Sequence, residues 1–206
     1  DRRIDSEHQL GDKYYKGTRL NRGHLTRRED LEWGSDPYDA TRRANNTCTW
    51  SNCSPQHELF NQDKHPNPAI RLWLGLEKYI LEQSARSFNY RVQVITGPIF
   101  DEDSDPEFRG AKIPMRFWKV VVAVSADLKP YATGYILTQD DVLDVAALLK
   151  PGVKEGAVLA AFQTYQRTIA EIEAETGLDF TYDDARKPLS AIDAYALELA
   201  KPVWKR

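Results

Sequence analysis

The chain has 206 residues, of which 41% are hydrophobic and 29% charged, the composition of an ordinary globular protein. This length fits one sizeable domain, so residues 1–206 are predicted to form a single domain. No apolar run approaches the ~18 residues of a membrane span, and we expect no membrane association. The net charge of −3 argues against a uniformly basic protein that coats nucleic acid. Because the chain opens abruptly on Asp1, an N-terminal strand or a leader is expected to precede it.

The charges are unevenly distributed along the chain. Residues 13–28 carry six cations and no acid, whereas acids gather at 101–105 and 171–184. A local basic patch on an acidic body is typical of transient binding to a polyanion, and a merely solvated face is the alternative. The two cysteines, Cys48 and Cys53, fit no zinc or redox spacing, so we expect free, mostly buried thiols rather than a disulfide.

The first half of the chain predicts few regular elements. Residues 1–55 are polar with little periodicity, which predicts irregular structure of a kind that is usually functional. Ser54 as a cap and Pro55 at the first helical position predict a short helix that ends near Asn61. A second helix is predicted to begin at Asn67-Pro68, and its apolar residues from Ile70 to Leu81 follow helical spacing.

The middle of the chain predicts three strands, and the last third predicts helices. The strands are expected at 90–99, 117–125 and 131–137, with an exposed acidic loop at 100–114. The helices are expected from 140 to 149, from 163 to 176 with a stop at Gly177, and from 191 to 200. Long connections between strands, together with clustered helices, predict an α+β fold with a central antiparallel sheet.

The segment Asn21-Arg22-Gly23-His24-Leu25 carries the strongest chemical signal. An imidazole titrates near neutral pH and can take a proton from water, although a lone histidine is more often a hydrogen-bonded structural residue. Gly23 would let the backbone approach a ligand, and the planar guanidinium of Arg22 matches phosphate oxygens. Arg27 and Arg28 follow on the same segment and are expected to contact substrate phosphate.

Asn61 and Glu77 are candidates for binding a divalent cation. Phosphodiester cleavage needs stabilisation of the charge on the phosphate and on the leaving 3′-oxygen, which Mg²⁺ can supply. Mg²⁺ prefers oxygen ligands and keeps several waters, so the amide oxygen of Asn61 could hold it; a turn or cap residue is the alternative. Glu77 could reach the water shell of the metal; its alternative is a surface glutamate paired with Arg71 or Lys78.

The segment Tyr15–Leu25 resembles the Asp-Arg-Gly-His motif of the DNA/RNA non-specific endonucleases. This is the ββα-metal, or His-Me finger, family of nucleases, which includes mitochondrial endonuclease G. The resemblance continues through Arg27–Gly34, Ser51–Gln56, Phe60-Asn61, Trp73–Glu77, Val94–Pro98, Phe117–Lys119 and Ile172–Leu178. The chain departs from the family pattern at Asn21, which replaces the usual aspartate, and in the spacing between Asn61 and Glu77, which is longer than in the shortest members. The family often has an arginine on a strand upstream of the motif, and this sequence starts too late to show it.

The resemblance implies a ββα-metal nuclease fold, with His24 on a strand of a hairpin-like finger and Asn61 on the following helix. It implies that His24 is the general base and that Asn61 is the direct ligand of Mg²⁺, for which Mn²⁺ could substitute. It further implies that Asn52 lies near the scissile phosphate, that Glu77 orders the metal-bound water and that Arg22 stabilises the phosphate or the transition state.

The implied activity is metal-dependent, sugar-non-specific hydrolysis of DNA and RNA to 5′-phosphate and 3′-hydroxyl ends. The contacts would address the nucleic-acid backbone, and a homodimer and an inhibitor or immunity protein are expected partners. Because a free nuclease endangers its own cell, a secreted or periplasmic location is favoured. Two alternatives stay open. One is an inactive binding module that keeps the fold, and the other is a zinc hydrolase built from His24, His57 and His65.

Overall fold

The computed structural model describes Arg3, Asp5, Ser6 and residues 9–62, 73–81, 91–124, 128–140, 165–182 and 186–194. The helices are α1 (Asp12–Tyr15), α2 (Pro37–Asn45), α3 (Glu58–Asn61), α4 (Trp73–Tyr79) and α5 (Ile169–Thr176). The strands are β1 (Leu20–His24), β2 (Cys53–His57), β3 (Arg91–Ile99), β4 (Glu107–Phe108), β5 (Ala111–Lys112), β6 (Arg116–Val124), β7 (Pro130–Thr138), β8 (Tyr165–Arg167), β9 (Thr181–Tyr182) and β10 (Lys187–Pro188). Short 3-10 helices cover Arg28–Leu31, Trp50–Asn52 and Leu189–Ile192. Within the described residues, no helix has both the length and the apolarity to span a membrane.

A four-stranded antiparallel sheet in the order β3-β6-β7-β8 forms the centre of the fold. It confirms the three predicted strands and the α+β class. The helix predicted from 163 to 176 begins later, because Tyr165–Arg167 pair with β7 as the edge strand. Thr168 and Glu171 then form a capping box at the start of α5. The helix ends at Gly177, where φ is +67°, as the sequence predicts.

The two faces of this sheet pack against different partners because side chains on β6 alternate. Trp118 and Val120 face α5, in a core that includes Ile169 and Ile172. Phe117 and Val121 face the other way, toward a core formed with α3 and α4. The residues of this second core are Leu59, Phe60, Trp73, Leu76, Ile80, Phe117, Val121 and Leu137. The candidate site lies on the α3–α4 side of the sheet.

Strands β1 and β2 and helix α3 form a compact ββα unit. The two strands pair antiparallel, from Leu20 opposite His57 to His24 opposite Cys53. The prediction that a helix starts at Ser54-Pro55 is wrong, because both residues belong to β2. Helix α3 begins only at Glu58, where the Nδ1 atom of His57 accepts the Leu59 N–H at 3.3 Å as an N-cap.

A buried glutamine attaches the ββα unit to the loop that leads into β6. Oε1 of Gln139 accepts the His57 N–H at 2.8 Å. Its Nε2 donates to the carbonyls of Pro55 and Pro114, at 3.2 and 2.8 Å. Because Gln139 is fully buried, these three bonds satisfy its amide and hold β2 in place.

Two further expectations need correction. Residues 1–55 are less irregular than predicted, since they contain α1, β1 and α2. The acidic loop at 100–114 is only partly exposed: it contains the β4–β5 hairpin, and the buried carboxylate of Asp105 accepts the N–H groups of Asp101 and Met115 at 2.9 and 3.0 Å. The predicted helix start at Asn67, the helix to 149 and most of the helix to 200 lie outside the described residues.

Candidate active site

His24 is held by its backbone at the end of β1. The indole Nε1 of Trp73, on α4, donates to the His24 carbonyl at 2.9 Å. The N–H of the next residue, Leu25, donates to the Asn52 carbonyl at 3.1 Å. The imidazole is half-buried, and this burial lowers the pKa of His24 below its ordinary value. At pH 7 the ring is therefore neutral, which is the state that a general base requires.

A cavity of about 250 Å³ opens beside the imidazole. Its lining consists of Arg22, His24, Thr47, Cys48, Thr49, Trp50, Asn52 and Cys53. The Sγ atom of Cys48 lies 4.0 Å from His24 Nε2. Both cysteines are free, as expected, but Cys48 is exposed rather than buried. A larger cleft of about 1010 Å³, near Asp12 and Arg109, includes neither His24 nor Asn61 in its lining.

Arg22 contributes the guanidinium that lines the cavity. Its Cζ lies 5.5 Å from the ring centre of Tyr15 and 5.7 Å from that of Trp50, in cation–π geometry. Its Nη2 also pairs with the exposed carboxylate of Asp12. An exposed ion pair contributes only ~0–1 kcal/mol, so a phosphate could displace Asp12 at little cost.

The predicted basic patch is largely neutralised in the fold. Arg19, Arg22, Arg27 and Arg28 each form an ion pair with an acidic side chain. The side chain of Arg27 is only 13% exposed, and that of Arg28 contacts Glu32 at 3.3 Å. A contact of Arg27 or Arg28 with phosphate remains a prediction, and of the four arginines only Arg22 shares the cavity with His24.

The side chain of Asn52 is occupied by the backbone around the cavity. Its Oδ1 accepts the Thr26 N–H at 2.9 Å, and its Nδ2 donates to the carbonyls of Thr26 and Thr47 at 2.8 and 3.0 Å. These bonds join the segment after β1 to the segment before β2. Asn52 therefore shapes the cavity. Its position near the scissile phosphate stays a prediction.

Asn61 is the last residue of α3 and is half-buried. No hydrogen bond joins its amide to another described residue, which leaves its oxygen available to a ligand. The preceding Phe60 stacks on Trp73 with ring centres 5.8 Å apart, and Trp73 bonds to the His24 carbonyl. The following Gln62 donates to Asn21 Oδ1 on β1 at 3.0 Å. The end of α3 is thus attached to the strand that carries His24.

The available donors suit a hydrated magnesium ion better than zinc. Asn61 offers one neutral oxygen, the ligand type that Mg²⁺ accepts while it keeps its waters. Within the described ranges, no three His, Cys, Asp or Glu side chains converge. His57 caps α3 and pairs with Leu20 at the far end of the hairpin from His24. Four strand positions, about 13 Å, separate the two histidines, which is too far for them to bind one zinc ion. His65 lies outside the described residues.

Glu77 is a buried residue of α4, so the surface alternative is wrong. Lys119 Nζ, from β6, lies 3.3 Å from Glu77 Oε1, close enough for an ion pair although that oxygen lacks a well-aligned hydrogen bond. Nζ also donates to the Leu25 carbonyl at 2.8 Å and lies 3.9 Å from the ring centre of Trp73. Burial raises the pKa of Glu77 and lowers the pKa of Lys119, and each charge opposes the shift of the other.

Comparison with known proteins identifies the family and the fold. The family model described as DNA/RNA non-specific endonuclease matches residues 1–187. The chain belongs to this family. The crystal structure of the EndoG/EndoGI complex, which concerns the mechanism of EndoG inhibition, has a TM-score of 0.57 to the chain at 19% identity. The match covers 91% of this chain and 70% of that one, and it shows that this chain has the ββα-metal fold of EndoG.

One curated relative shares more sequence. "Uncharacterized protein y4fB" of Sinorhizobium fredii (strain NBRC 101917 / NGR234) is 36% identical over 208 residues. The match covers 95% of this chain but 28% of that protein, so the chain spans little more than a quarter of its relative.

The Asn21-Arg22-Gly23-His24 motif of this chain is packed against a buried glutamine. A Cβ atom on Gly23 would lie 2.0 Å from Gln56 Oε1, so the glycine makes room for Gln56, and the expected approach of a ligand to its backbone stays a prediction. Gln56 sits opposite Asn21 in the strand pair. Both polar atoms of the Gln56 amide and the Nδ2 of Asn21 are buried without a hydrogen-bond partner in the part of the chain that the structure describes. The Asn21 amide is therefore only partly satisfied, since its Oδ1 accepts from Gln62 while its Nδ2 finds no partner among the described residues.

The site contains residues that the sequence reasoning missed. Lys119 is the single charged residue of the apolar run from Phe117 to Val124, a signal for a specific buried partner. Trp50 and Tyr15, which contact Arg22, had no such signal. Aromatic residues occur throughout the chain, and only the pairing of β1 with β2 brings these two together.

Proposed function

We propose that this endonuclease-family chain hydrolyses phosphodiester bonds of both DNA and RNA and leaves 5′-phosphate and 3′-hydroxyl ends. The observation that carries the proposal is the ββα unit, which presents a neutral, half-buried His24 on its strand and an available Asn61 amide on its helix. Membership of the DNA/RNA non-specific endonuclease family supports the same reaction.

In this proposal His24 accepts a proton from the attacking water, and its lowered pKa keeps the imidazole unprotonated at pH 7. Arg22 exchanges Asp12 for the phosphate, whose oxygens match the planar guanidinium. Asn61 would hold Mg²⁺, or Mn²⁺ as a substitute, and the ion would supply Lewis-acid stabilisation of charge on the phosphate and the leaving oxygen, which would take its proton from a water molecule. Glu77 is proposed to face the water shell of the ion, with Lys119 beside it.

The proposed contacts address phosphates rather than base edges, so little sequence specificity and a strong dependence on salt follow. An inhibitor protein is a proposed partner, in line with the inhibition of EndoG in the complex whose fold this chain shares. A secreted or periplasmic location is proposed as well, since a nuclease must be kept away from the genome of its own cell. A homodimer is proposed from the family resemblance alone.

Digestion of plasmid DNA and of total RNA tests the activity. The wild type should degrade both substrates with Mg²⁺ or Mn²⁺ and neither with EDTA. His24→Ala should slow both reactions by about 100- to 10,000-fold, the typical contribution of a general base. Extension of the DNA products by terminal transferase would confirm 3′-hydroxyl ends. An inert wild type with either cation would refute the proposal and favour the inactive binding module.

Calorimetric titration with Mn²⁺ tests the metal ligand without relying on activity. Asn61→Ala should lose the binding heat of the wild type. Asn46→Ala is the matched control, because Asn46 also lies at the C-terminal end of a helix but on exposed α2. Equal binding by wild type and Asn61→Ala would remove Asn61 from the site.

A further inference from the structure

Trp50 is a large aromatic side chain that stays exposed at the mouth of the cavity. Trp50 is 49% exposed, and the Ser51-Asn52 segment that follows it leads into β2. It lines the 250 Å³ cavity together with His24 and Arg22. Burial of a tryptophan is favourable, so a half-exposed indole beside Arg22 and His24 offers apolar surface to a ligand that enters the cavity.

The indole is held in place from within the fold. Tyr15, which is buried, stacks against it with ring centres 6.2 Å apart and planes inclined by 22°. The guanidinium of Arg22 lies over both rings. A fixed aromatic surface next to a cation is the arrangement by which proteins bind single-stranded nucleic acid, with bases stacked on rings and phosphates on charges.

We propose that Trp50 is a stacking site for one unpaired nucleobase next to the scissile phosphate, so that the enzyme favours single-stranded substrate. The proposal rests on the function proposed above and extends it to the class of substrate. A base in a duplex is stacked on its neighbours and its faces are covered, whereas a base in a single strand can leave the stack and contact an aromatic side chain. The cavity provides the space for such a base beside His24 and Arg22.

Kinetics on one oligonucleotide, as a single strand and as a duplex, test the substrate preference. Trp50→Ala should lower kcat/KM on the single strand by about 10- to 100-fold, the usual effect of removing a base-stacking side chain. The duplex should change by less than about threefold, and Trp50→Phe should retain most of the single-strand activity. Trp33→Ala is the matched control, because Trp33 is 58% exposed but outside the lining of the cavity.

Fluorescence separates the stacking site from the nuclease activity. In an inactive His24→Ala background with EDTA, a single-stranded oligonucleotide should quench tryptophan emission. The quenching should vanish with Trp50→Ala, persist with Trp33→Ala and be absent with an abasic oligonucleotide that has the same phosphates. A wild type that cleaves nothing would refute the proposed function alone, since the quenching still decides the role of Trp50. Equal loss of activity on both substrates, or unchanged quenching in Trp50→Ala, would overturn the stacking site.

Discussion

Replacing Lys119 with methionine should expose how much the site depends on one buried charge. Methionine fills a similar volume but cannot pair with Glu77 or donate to the Leu25 carbonyl, contacts that the lysine makes at 3.3 and 2.8 Å. Removing one partner of a buried ion pair costs about 3–5 kcal/mol, because the other charge stays buried without compensation. We expect a loss of this size in the free energy of unfolding of Lys119→Met.

A second substitution should restore part of that stability. In the double variant Glu77→Gln/Lys119→Met neither charge of this pair remains buried, so we expect the loss to shrink to about 1–2 kcal/mol. Lys112→Met is the matched control: its ion pair with Glu102 is exposed and should matter by less than ~1 kcal/mol. Activity should fall in both variants that lack Lys119, since Lys119 also holds the backbone next to His24 and Glu77 is itself a proposed site residue, whereas Lys112→Met should keep its activity.

The stability of Lys119→Met should decrease as the pH rises. Burial raises the pKa of Glu77, so the folded protein prefers the protonated carboxyl and stability is lost as the pH rises. Without the lysine this preference strengthens. Urea unfolding of Lys119→Met should therefore show lower stability at pH 8 than at pH 5. A loss below ~1 kcal/mol, no recovery in the double variant, or greater stability at pH 8 would refute the reasoning.

Three further predictions concern the ββα unit. Gly23→Ala should destabilise the protein by about 1–3 kcal/mol, because its Cβ would collide with buried Gln56, and thermal unfolding would show it. Asn52→Ala should cost about 2–3 kcal/mol, since it removes three hydrogen bonds to the backbone; a change below ~0.5 kcal/mol in urea unfolding would contradict this. Burial lowers the pKa of His57 to about 4 in the folded protein. As the pH falls below 6.5, the unfolded chain therefore binds a proton that the folded chain does not, and the free energy of unfolding of the wild type should fall by about 3 kcal/mol by pH 4. His57→Asn, which keeps a capping oxygen, should flatten that loss, and an unchanged acid transition would exclude His57 as its cause.

Much of the fold could be predicted from local patterns. Strands β3, β6 and β7 were evident because each alternates or stays apolar over its whole length, and Gly177 marked the end of α5 because it supplies a left-handed residue. The prediction failed where local signals compete with pairing. Ser54-Pro55 has the form of a helix start, but alignment with β1 makes it a strand, and Tyr165–Arg167 became a strand through β7.

The candidate site divides in the same way. His24 and Asn61 could be named from the sequence because their motif is local: each residue type, at its spacing, supports one chemical role. The partners of each charged or polar side chain could not be predicted from a local motif, since they are groups that folding brings together. The arginines of the basic segment acquired acidic partners, and Asn52 turned its amide to the backbone.

The sequence by itself therefore determined the family, the class of fold and the candidate residues of the reaction, because these follow from short motifs and periodic patterns. Only the tertiary structure decided that Lys119 pairs with Glu77 close to the backbone that follows His24, and that Trp50 stays exposed over Tyr15 and Arg22. The physical reason is that burial, pKa and stacking are properties of neighbours in space. Residues far apart in the chain become neighbours only when the sheet, the ββα unit and α4 pack together.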